Sequence, residues 1–362
     1  MLIDKIKFVK LDLCLRKPYT IAYETISEAT NFILKISTRS GMCGYGCAAP
    51  DLAVTHEDPA MVEKAITTVV IPYLEGKNPY CRGEILEHFR KVLPNHNSTL
   101  AMIDMALFDL LARRTNLPLY QVLGGYRHSI PTSVTIGILP TDETLEEAAE
   151  IISKGFFILK VKGGLDIDND IERIRKIREQ FGPVIRIRFD GNQGFDLDET
   201  VRFIKEAHPY NVEILEQPMA IGSELPNFDE GNNGTLPIMA DESLKHLKDA
   251  FRIAKNSAID MINIKIQKVG GLEEAMHINS VSKAVNNEVM IGCLDECALG
   301  ISSGLHLALS RPNIQFADLD AHLDFENDPF QNLFTIKEGL MYPKLQPGLG
   351  KISAEINDMF IT

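Results

Sequence analysis

Residues 156–190 read FFILKVKGGLDIDNDIERIRKIREQFGPVIRIRFD, and this stretch decides the fold. It begins with a short apolar run, continues through a segment whose apolar residues recur at helical spacing, and ends with a second apolar run. This order is typical of two parallel strands joined by a crossover helix.

The same alternation continues over the whole region from Ser133 to Asp320. Amphipathic helical segments separate eight apolar runs, which are SVTIGI, FFILKVK, PVIRIRFD, VEILE, LPIMAD, DMINIKI, EVMIGCL and NIQFADLD. Eight such repeats predict an α/β fold of the (β/α)₈ type, a TIM barrel. Residues 219–235 are too polar and Gly-rich to predict a regular helix, so we expect the fourth helix to be short, distorted or replaced by a loop.

The first part of the chain has a different pattern. Up to residue 49, short runs alternate apolar and polar side chains, which predicts a small antiparallel sheet. From Asp58 the apolar residues adopt helical spacing and predict three helices, so an α+β module ends near Gly124 and Gly125.

A polar residue lies near the end of each apolar run of the barrel region. A barrel brings the carboxyl ends of its strands to one mouth, where enzymes of this fold keep their chemistry. Successive residues of this set are 24 to 30 residues apart, about one strand, loop and helix. The sequence therefore predicts a single site formed by Thr135, Lys162, Asp190, Glu216, Asp241, Lys265, Asp295 and Asp320.

Three of these residues, Asp190, Glu216 and Asp241, follow neighbouring strands. Three carboxylates in one mouth repel each other unless a cation lies among them, and an all-oxygen set suits Mg²⁺. Each carboxylate taken alone is also explained as a helix N-cap after a strand. Their common register favours a metal site.

The lysines of the predicted mouth suggest a type of reaction. Lys160 and Lys162 are two residues apart and so share one face of their strand, while Lys265 lies across the mouth with the carboxylates between. A solvated edge strand is the alternative, but FFILKVK is apolar on both faces, as a buried parallel strand is. Mg²⁺ can stabilise a substrate enediolate, and crowding by cations lowers a lysine pKa enough for it to act as a base. One lysine on each side indicates a racemase or epimerase, although a single-base elimination could use the same groups.

These motifs resemble those of the enolase superfamily, in its muconate-lactonising subgroup, and within it the dipeptide epimerases. The resemblance covers nearly the whole chain, from the N-terminal capping domain through LPLYQVLGGYR, TSVTIGI, LKVKGG, RFDGNQG, LEQPM, MADESL, INIKIQKVGG, MIGC and FADLD to PGLGK. It implies a capping domain at 1–125, a catalytic barrel at 126–321, and a C-terminal segment at 322–362 that returns to the capping domain. It also implies these roles: acid/base catalysis by Lys162 and Lys265 with Lys160 beside the first, Mg²⁺ binding by Asp190, Glu216 and Asp241, and support of the ligands by Asn192 and Glu242.

The eighth run ends in Asp318-Leu319-Asp320, which matches an Asp-x-Asp that distinguishes the dipeptide epimerases within the subgroup. Both carboxylates face the same way and could bind a substrate ammonium group. A capping role remains the alternative for one of them.

The residues expected around the substrate side chains are acidic. Residues 18–31 contain no Arg or Lys but do contain Glu24, and we expect Asp51 and Asp295 to approach the site as well, with Thr135 as a further substrate contact. This charge favours a substrate with a Lys or Arg side chain. Alternatively Glu24 and Asp51 are solvated residues with little effect, and the substrate is an L-Ala-D/L-Glu or a hydrophobic dipeptide.

The overall composition bounds the other possibilities. The chain has 37 Lys and Arg against 50 Asp and Glu, a net charge of -13, so nucleic acid is not an expected partner. No uncharged apolar stretch reaches the roughly 20 residues of a membrane span, and six cysteines without a C-x-x-C pair fit a reducing compartment. We expect a cytoplasmic homo-oligomer that acts on a small molecule.

The resulting prediction is a Mg²⁺-dependent dipeptide epimerase. It inverts an α-carbon by two-base 1,1-proton transfer through a metal-stabilised enediolate, and it favours dipeptides with a cationic residue. The alternatives are a dehydratase or syn-elimination enzyme, an N-acyl amino acid racemase, an o-succinylbenzoate synthase, or a barrel that binds a metabolite without catalysis.

Overall fold

The computed structural model describes residues 2–20, 25–223 and 236–360. The first strands form an antiparallel sheet in the order β1-β2-β3, as the alternating sequence predicts. Their bounds are Ile3–Thr20 for β1, Thr25–Thr38 for β2 and Cys43–Ala48 for β3. The helices that follow are α1 (Pro59–Ala65), a π-helical turn (Ile66–Val70), α2 (Ile71–Leu74), α3 (Arg82–Val92), α4 (Asn97–Thr115) and α5 (Leu119–Leu123).

Helix α4 joins the first part of the chain to the second. Its segment STLAMIDMALFDLLARR is apolar around most of its circumference, which is the pattern of a helix buried on all sides. Leu100, Ile103 and Leu107 pack into the core beneath the antiparallel sheet. Met105 and Phe108 pack into the core shared with the barrel. Helix α4 therefore packs against both the capping sheet and the barrel.

The second part of the chain is a parallel barrel whose strands follow one another in chain order. Within the described residues, this part of the chain contains eight barrel strands. A short strand before them, β4 (Ile130–Pro131), lies outside the barrel. A parallel bridge between Thr132 and Ala317, with Ser133 N donating to Ala317 O over 3.2 Å, closes the last strand onto the first. The barrel strands are β5 (Val134–Ile136), β6 (Ile158–Lys162), β7 (Arg186–Asp190), β8 (Val212–Glu216), β9 (Ile238–Ala240), β10 (Met261–Lys265), β11 (Glu288–Gly292) and β12 (Ile314–Ala317).

Helices surround the barrel, and their ends follow from local sequence. Helix α7 begins at Asp166, whose carboxylate accepts hydrogen bonds from the N–H groups of Asp168 and Asn169, and ends at Gly182 with a φ of 73°. The fourth connection, predicted to be irregular, falls largely on residues 224–235, which lie outside the described residues. The helices are α6 (Thr141–Ser153), α7 (Ile167–Phe181), α8 (Leu197–Ala207), α9 (Leu247–Ile253), α10 (Ile266–Val269), α11 (Leu272–Ala284) and α12 (Ala298–Ala308), with a 3₁₀ turn at His208–Tyr210.

The chain after the barrel contacts the capping sheet. Arg16 N donates to Asp324 O over 2.8 Å, and Tyr45 donates its hydroxyl proton to Asn357 Oδ1 over 2.6 Å. In the part of the chain that the structure describes, no helix is long and apolar enough to cross a bilayer. This last segment contains 3₁₀ turns at Ala321–Leu323 and Gln331–Leu333, strands β13 (Phe334–Lys337) and β14 (Leu340–Pro343), and helix α13 (Ala354–Asp358).

The close approach of β3 to α4 gives a stability prediction. A Cβ on Gly46 would lie 1.9 Å from Met102 O, so Gly46→Ala should force the strand and helix apart. We expect the free energy of unfolding to fall by about 1–3 kcal/mol or more, measured by denaturant unfolding. Gly83→Ala in α3 is the matched control, because a Cβ there meets no atom within 4 Å and Ala favours the helix. Equal stability of the two variants would contradict this packing.

Candidate active site

A cavity of about 500 Å³ lies at the carboxyl ends of the barrel strands, beneath the capping sheet. Asp190 and Glu216 do not line it, because they are buried below the lysine side chains. Glu24 lies outside the described residues. The other residues predicted from the sequence all line this cavity: Asp51, Thr135, Lys160, Lys162, Asn192, Asp241, Glu242, Lys265, Asp295, Asp318 and Asp320.

Lys160 is the centre of the buried charges. Its Nζ lies 2.8 Å from Glu216 Oε2, 2.8 Å from Asp318 Oδ2 and 3.1 Å from Asp190 Oδ2. Burial alone would lower the pKa of Lys160, but Asp318, Glu216 and Asp190 outweigh it and raise the pKa well above its ordinary value. The side chain is therefore a permanent cation that holds three carboxylates together.

The other two predicted lysines lie on opposite sides of this centre. Lys162 Nζ is 2.8 Å from Asp190 Oδ2, and Lys265 Nζ is 2.8 Å from Asp241 Oδ2. Burial would lower the pKa of Lys265, but the charge of Asp241 outweighs it and raises the pKa well above its ordinary value. This is opposite to the direction expected from the sequence, because the nearest charge to Lys265 is a carboxylate rather than another cation.

The three carboxylates have the donor chemistry of a magnesium site. Burial, and after it the charge of Asp190, raises the pKa of Glu216 to about 7. Asn192 Oδ1 and Glu242 Oε2 are buried acceptors without a hydrogen-bond partner among the described residues. No group of three potential His, Cys, Asp or Glu ligands is preassembled within the described ranges, because lysine ammonium groups lie between the carboxylates. All-oxygen donors with spare acceptors fit a hard divalent cation.

Asn192 and Glu242, predicted to support the ligands, lie beside the carboxylates. Asn192 N donates to Asp190 Oδ1 over 3.0 Å, and its side chain donates to Glu242 Oε1 over 3.3 Å. Asn192 has a φ of 42°, a left-handed conformation that Asn tolerates better than most residues. The turn after β7 therefore aims its amide at the carboxylates.

Sequence reasoning missed Lys268, which belongs to the same charge network. It is 1% exposed, and its Nζ donates to the side chain of Asp241, to Asp241 O over 2.5 Å and to Asn263 O over 3.1 Å. Asn263 in turn donates to Glu216 Oε1 over 2.7 Å. The signal for it in the sequence is a second lysine three residues after Lys265 in the segment INIKIQKVGG.

The Asp318 and Asp320 carboxylates have different surroundings. Asp318 accepts hydrogen bonds from Ser133 Oγ over 2.6 Å and from Lys160 over 2.8 Å, so both of its oxygens are engaged inside the protein. Asp320 Oδ2 accepts from Thr135 N over 2.6 Å, while Cys293 Sγ lies 3.9 Å from Oδ1. Burial and the charge of Asp318 raise the pKa of Asp320 to about 6. Of these two carboxylates, only Asp320 thus has an oxygen, Oδ1, that remains available to a substrate cation.

The acidic residues expected near the substrate side chains are only partly available. Tyr19 of β1 donates its hydroxyl proton to Asp295 Oδ1 over 2.8 Å. Burial raises the pKa of Asp295 to about 6, although the Tyr19 hydrogen bond lowers it. Asp51 Oδ1 accepts from Ala53 N and Val54 N over 2.8 and 2.9 Å, so it also shapes its own loop. Each carboxylate keeps one oxygen outside these contacts.

Two families match the chain, one for each part of the fold. Residues 5–124 match the mandelate racemase / muconate lactonizing enzyme, N-terminal domain. Residues 143–355 match the enolase C-terminal domain-like family. The two matches together cover most of the chain and include the carboxylates and lysines of the cavity.

Individual proteins resemble the chain over nearly its full length. It is 36% identical over 352 residues to the L-Lys-D/L-Arg epimerase of Desulforapulum autotrophicum, covering 97% of this chain and 99% of that protein. It is 35% identical over 360 residues to the L-Ala-D/L-Glu epimerase of Bacillus subtilis, covering 98% of both. A structure of a dipeptide epimerase from Methylococcus capsulatus complexed with Mg and the dipeptide L-Arg-D-Lys matches with a TM-score of 0.92 and 34% identity, covering 98% of this chain and 100% of that chain.

The buried position of Asp320 gives a pH-dependent prediction. Its pKa in the folded protein, about 6, lies above the ordinary value of 3.8, so the folded state binds more protons between these values and its stability falls as the pH rises through them. Asp320→Asn should therefore be more stable than the wild type above pH 6, by up to about 3 kcal/mol, and the difference should disappear near pH 4. Thermal unfolding at pH 4, 6 and 8 measures this. A variant that is less stable than the wild type at pH 8 would show that the Asp320 charge is well compensated.

Proposed function

The chain belongs to the mandelate racemase/muconate lactonizing enzyme family of the enolase superfamily, and we propose that within this family it is a Mg²⁺-dependent dipeptide epimerase. This makes it an isomerase that acts on amino-acid derivatives. The relatives named L-Lys-D/L-Arg epimerase and L-Ala-D/L-Glu epimerase, each similar over nearly the whole chain, support the assignment.

The observation that carries the proposal is the placement of Lys162 and Lys265. They extend from β6 and β10, and the strands that lead to Asp190, Glu216 and Asp241 lie between them. A substrate α-carbon held above these carboxylates would have one lysine on each face. An epimerase needs this arrangement, because it must remove a proton from one face and return a proton to the other.

Asp190, Glu216 and Asp241 are the residues that would hold the metal. Bound there, Mg²⁺ would accept the substrate carboxylate and stabilise the negative charge that develops when the α-carbon loses its proton. Lys160, fixed by Asp318, adds a positive charge that does not titrate near neutral pH.

The proton steps belong to the two lysines at the cavity. One lysine in its neutral form takes the α-proton at Nζ, and the ammonium group of the other donates a proton to the opposite face. The roles are exchanged when the other epimer reacts. The charge of Asp241 stabilises the ammonium form of Lys265. Lys265 can therefore lose its proton and serve as the base only when another cation shares the charge of Asp241.

The proposed substrate class rests on acidic residues of the cavity lining, which also contains Arg16, Lys17 and Lys154. Asp320 lines the cavity, and its Oδ1, which does not take part in the Thr135 hydrogen bond, would accept the substrate ammonium group. A second cavity of about 440 Å³ shares Asp51 and Asp295 with the first, and Glu28 lines it as well. Its described lining contains these three acids and no Lys or Arg. This surface favours a dipeptide with a cationic side chain, and the relative named L-Lys-D/L-Arg epimerase supports that choice.

Exchange of the α-proton in deuterated water tests the epimerase assignment. The wild type should add deuterium at one α-carbon of a suitable dipeptide and invert it, as seen by mass spectrometry and chiral chromatography. Lys162→Ala and Lys265→Ala should each stop inversion, and each should keep slow exchange for only the epimer whose proton faces the surviving lysine. Loss of water from the substrate would instead indicate an elimination enzyme, and near wild-type inversion in either variant would remove that lysine from the mechanism.

Comparison of two substrates tests the cationic preference. We expect a higher kcat/KM for L-Lys-L-Arg than for L-Ala-L-Glu, and Asp295→Asn should reduce the ratio by about 10- to 100-fold, since a buried charged hydrogen bond contributes roughly 1.5–3 kcal/mol. Asp198→Asn on the exposed face of α8 is the control with the same charge change. Faster turnover of L-Ala-L-Glu than of any cationic dipeptide would contradict this preference.

A further inference from the structure

We propose that Arg173, together with Asp170, is a positioning residue for Lys162. Both belong to α7, the helix that follows the strand carrying this lysine. Neither side chain lines the cavity. The inference rests on the proposed function, because it assigns a directional effect on one of the two bases.

The two residues lie where the helix would ordinarily be apolar. Arg173 and Asp170 are each 2% exposed, on the buried face that also carries Ile171, Ile174 and Ile177. A buried ion pair costs desolvation and is often replaceable by apolar side chains without loss of stability. Arg173 Nη1 is buried with no hydrogen-bond partner among the described residues. General stability therefore does not account for a charged pair at this place.

The contacts of the pair converge on the turn after β6. Arg173 Nη2 donates to Lys162 O over 2.7 Å and also to the Asp170 carboxylate. Asp170 Oδ2 accepts from Gly164 N over 2.8 Å. A Cβ on Gly163 would lie 2.7 Å from both Asp170 oxygens, so the turn and the carboxylate are in direct contact. The pair thus contacts three successive residues that begin with Lys162.

The strand pairing explains why Lys162 needs this support. Strand β5 ends with Ile136 opposite Val161, one residue short of Lys162. Gly163 N donates to Asp190 O of β7 over 2.9 Å. The C=O and N–H of one trans peptide point in opposite directions, so the Lys162 carbonyl points to the β5 side, where the ladder has ended. This buried carbonyl accepts a hydrogen bond from Arg173. Without it, the end of the strand would lose the contact that fixes the backbone of the base.

This arrangement predicts an effect on one direction of proton transfer. Arg173→Met should slow exchange of the epimer whose proton faces Lys162 much more than exchange of the other epimer. Displacement of a reacting group by about 1 Å costs on the order of 100-fold in rate, which sets the expected size. Lys162→Ala identifies the Lys162-dependent epimer, because its exchange is lost in that variant. The measurement is α-deuterium incorporation into each pure epimer, with Mg²⁺ at saturation.

Two further variants separate positioning from general stability. Arg173→Lys keeps a donor and should restore part of the lost exchange in the Lys162-dependent direction. Arg178→Met is the matched control on the same helix, because Arg178 donates to Tyr210 O, Gly182 O and Ile185 O and does not contact Lys162. It should lower the melting temperature and leave the ratio of the two exchange rates unchanged.

An exchange ratio changed by Arg173→Met and partly restored by Arg173→Lys supports the inference. Equal losses in both directions, or no loss, overturn it while the proposed function stands. If Arg173→Met does not fold, the ratio of the two exchange rates is measured for Arg173→Lys instead. A ratio that differs from that of the wild type supports the inference, and an unchanged ratio overturns it. Absence of exchange in the wild type with any dipeptide overturns the proposed function and this inference with it.

Discussion

The site depends on the pairing of lysine ammonium groups with carboxylates below the mouth of the barrel. Lys160 contacts the carboxylates at the ends of β7 and β8 and one just after β12, and Lys268 contacts the carboxylate that follows β9. Buried carboxylates at these distances would repel each other strongly without cations between them. The same pairing keeps Lys162 and Lys265 apart on opposite sides. Charge compensation therefore fixes the three carboxylates proposed to bind the metal and the two lysines proposed as bases.

The capping sheet is fixed to this centre through buried amides. Asn31 of β2 donates to Asp295 O over 2.9 Å and accepts from Cys297 N over 2.7 Å. Gln267, two residues after Lys265, donates to Cys47 O over 3.0 Å and accepts from Ala49 N over 3.2 Å. The loops that determine the charge around the substrate are thus held in register with the barrel.

The sequence predicts the residues at strand ends well and the supporting residues poorly. A parallel barrel repeats strand, loop and helix at nearly constant length, so the spacing alone places eight polar residues at one mouth. Lys268 and Arg173 lie on helices, where spacing relative to the mouth is not informative and a charged residue is expected to be solvated. The internal role of Asp318 was also missed, because its partner Ser133 is 185 residues away in the chain. Long-range hydrogen bonds of this kind leave no local pattern.

The binding of Mg²⁺ to the chelated protein tests the central claim most directly. Titration calorimetry should give one Mg²⁺ per chain, and Glu216→Gln should weaken this binding strongly because it removes one of the three anionic ligands. A protein that exchanges substrate α-protons at full rate after exhaustive chelation, and that shows no heat of Mg²⁺ binding, would contradict the account. The carboxylates would then serve only to pair the lysines.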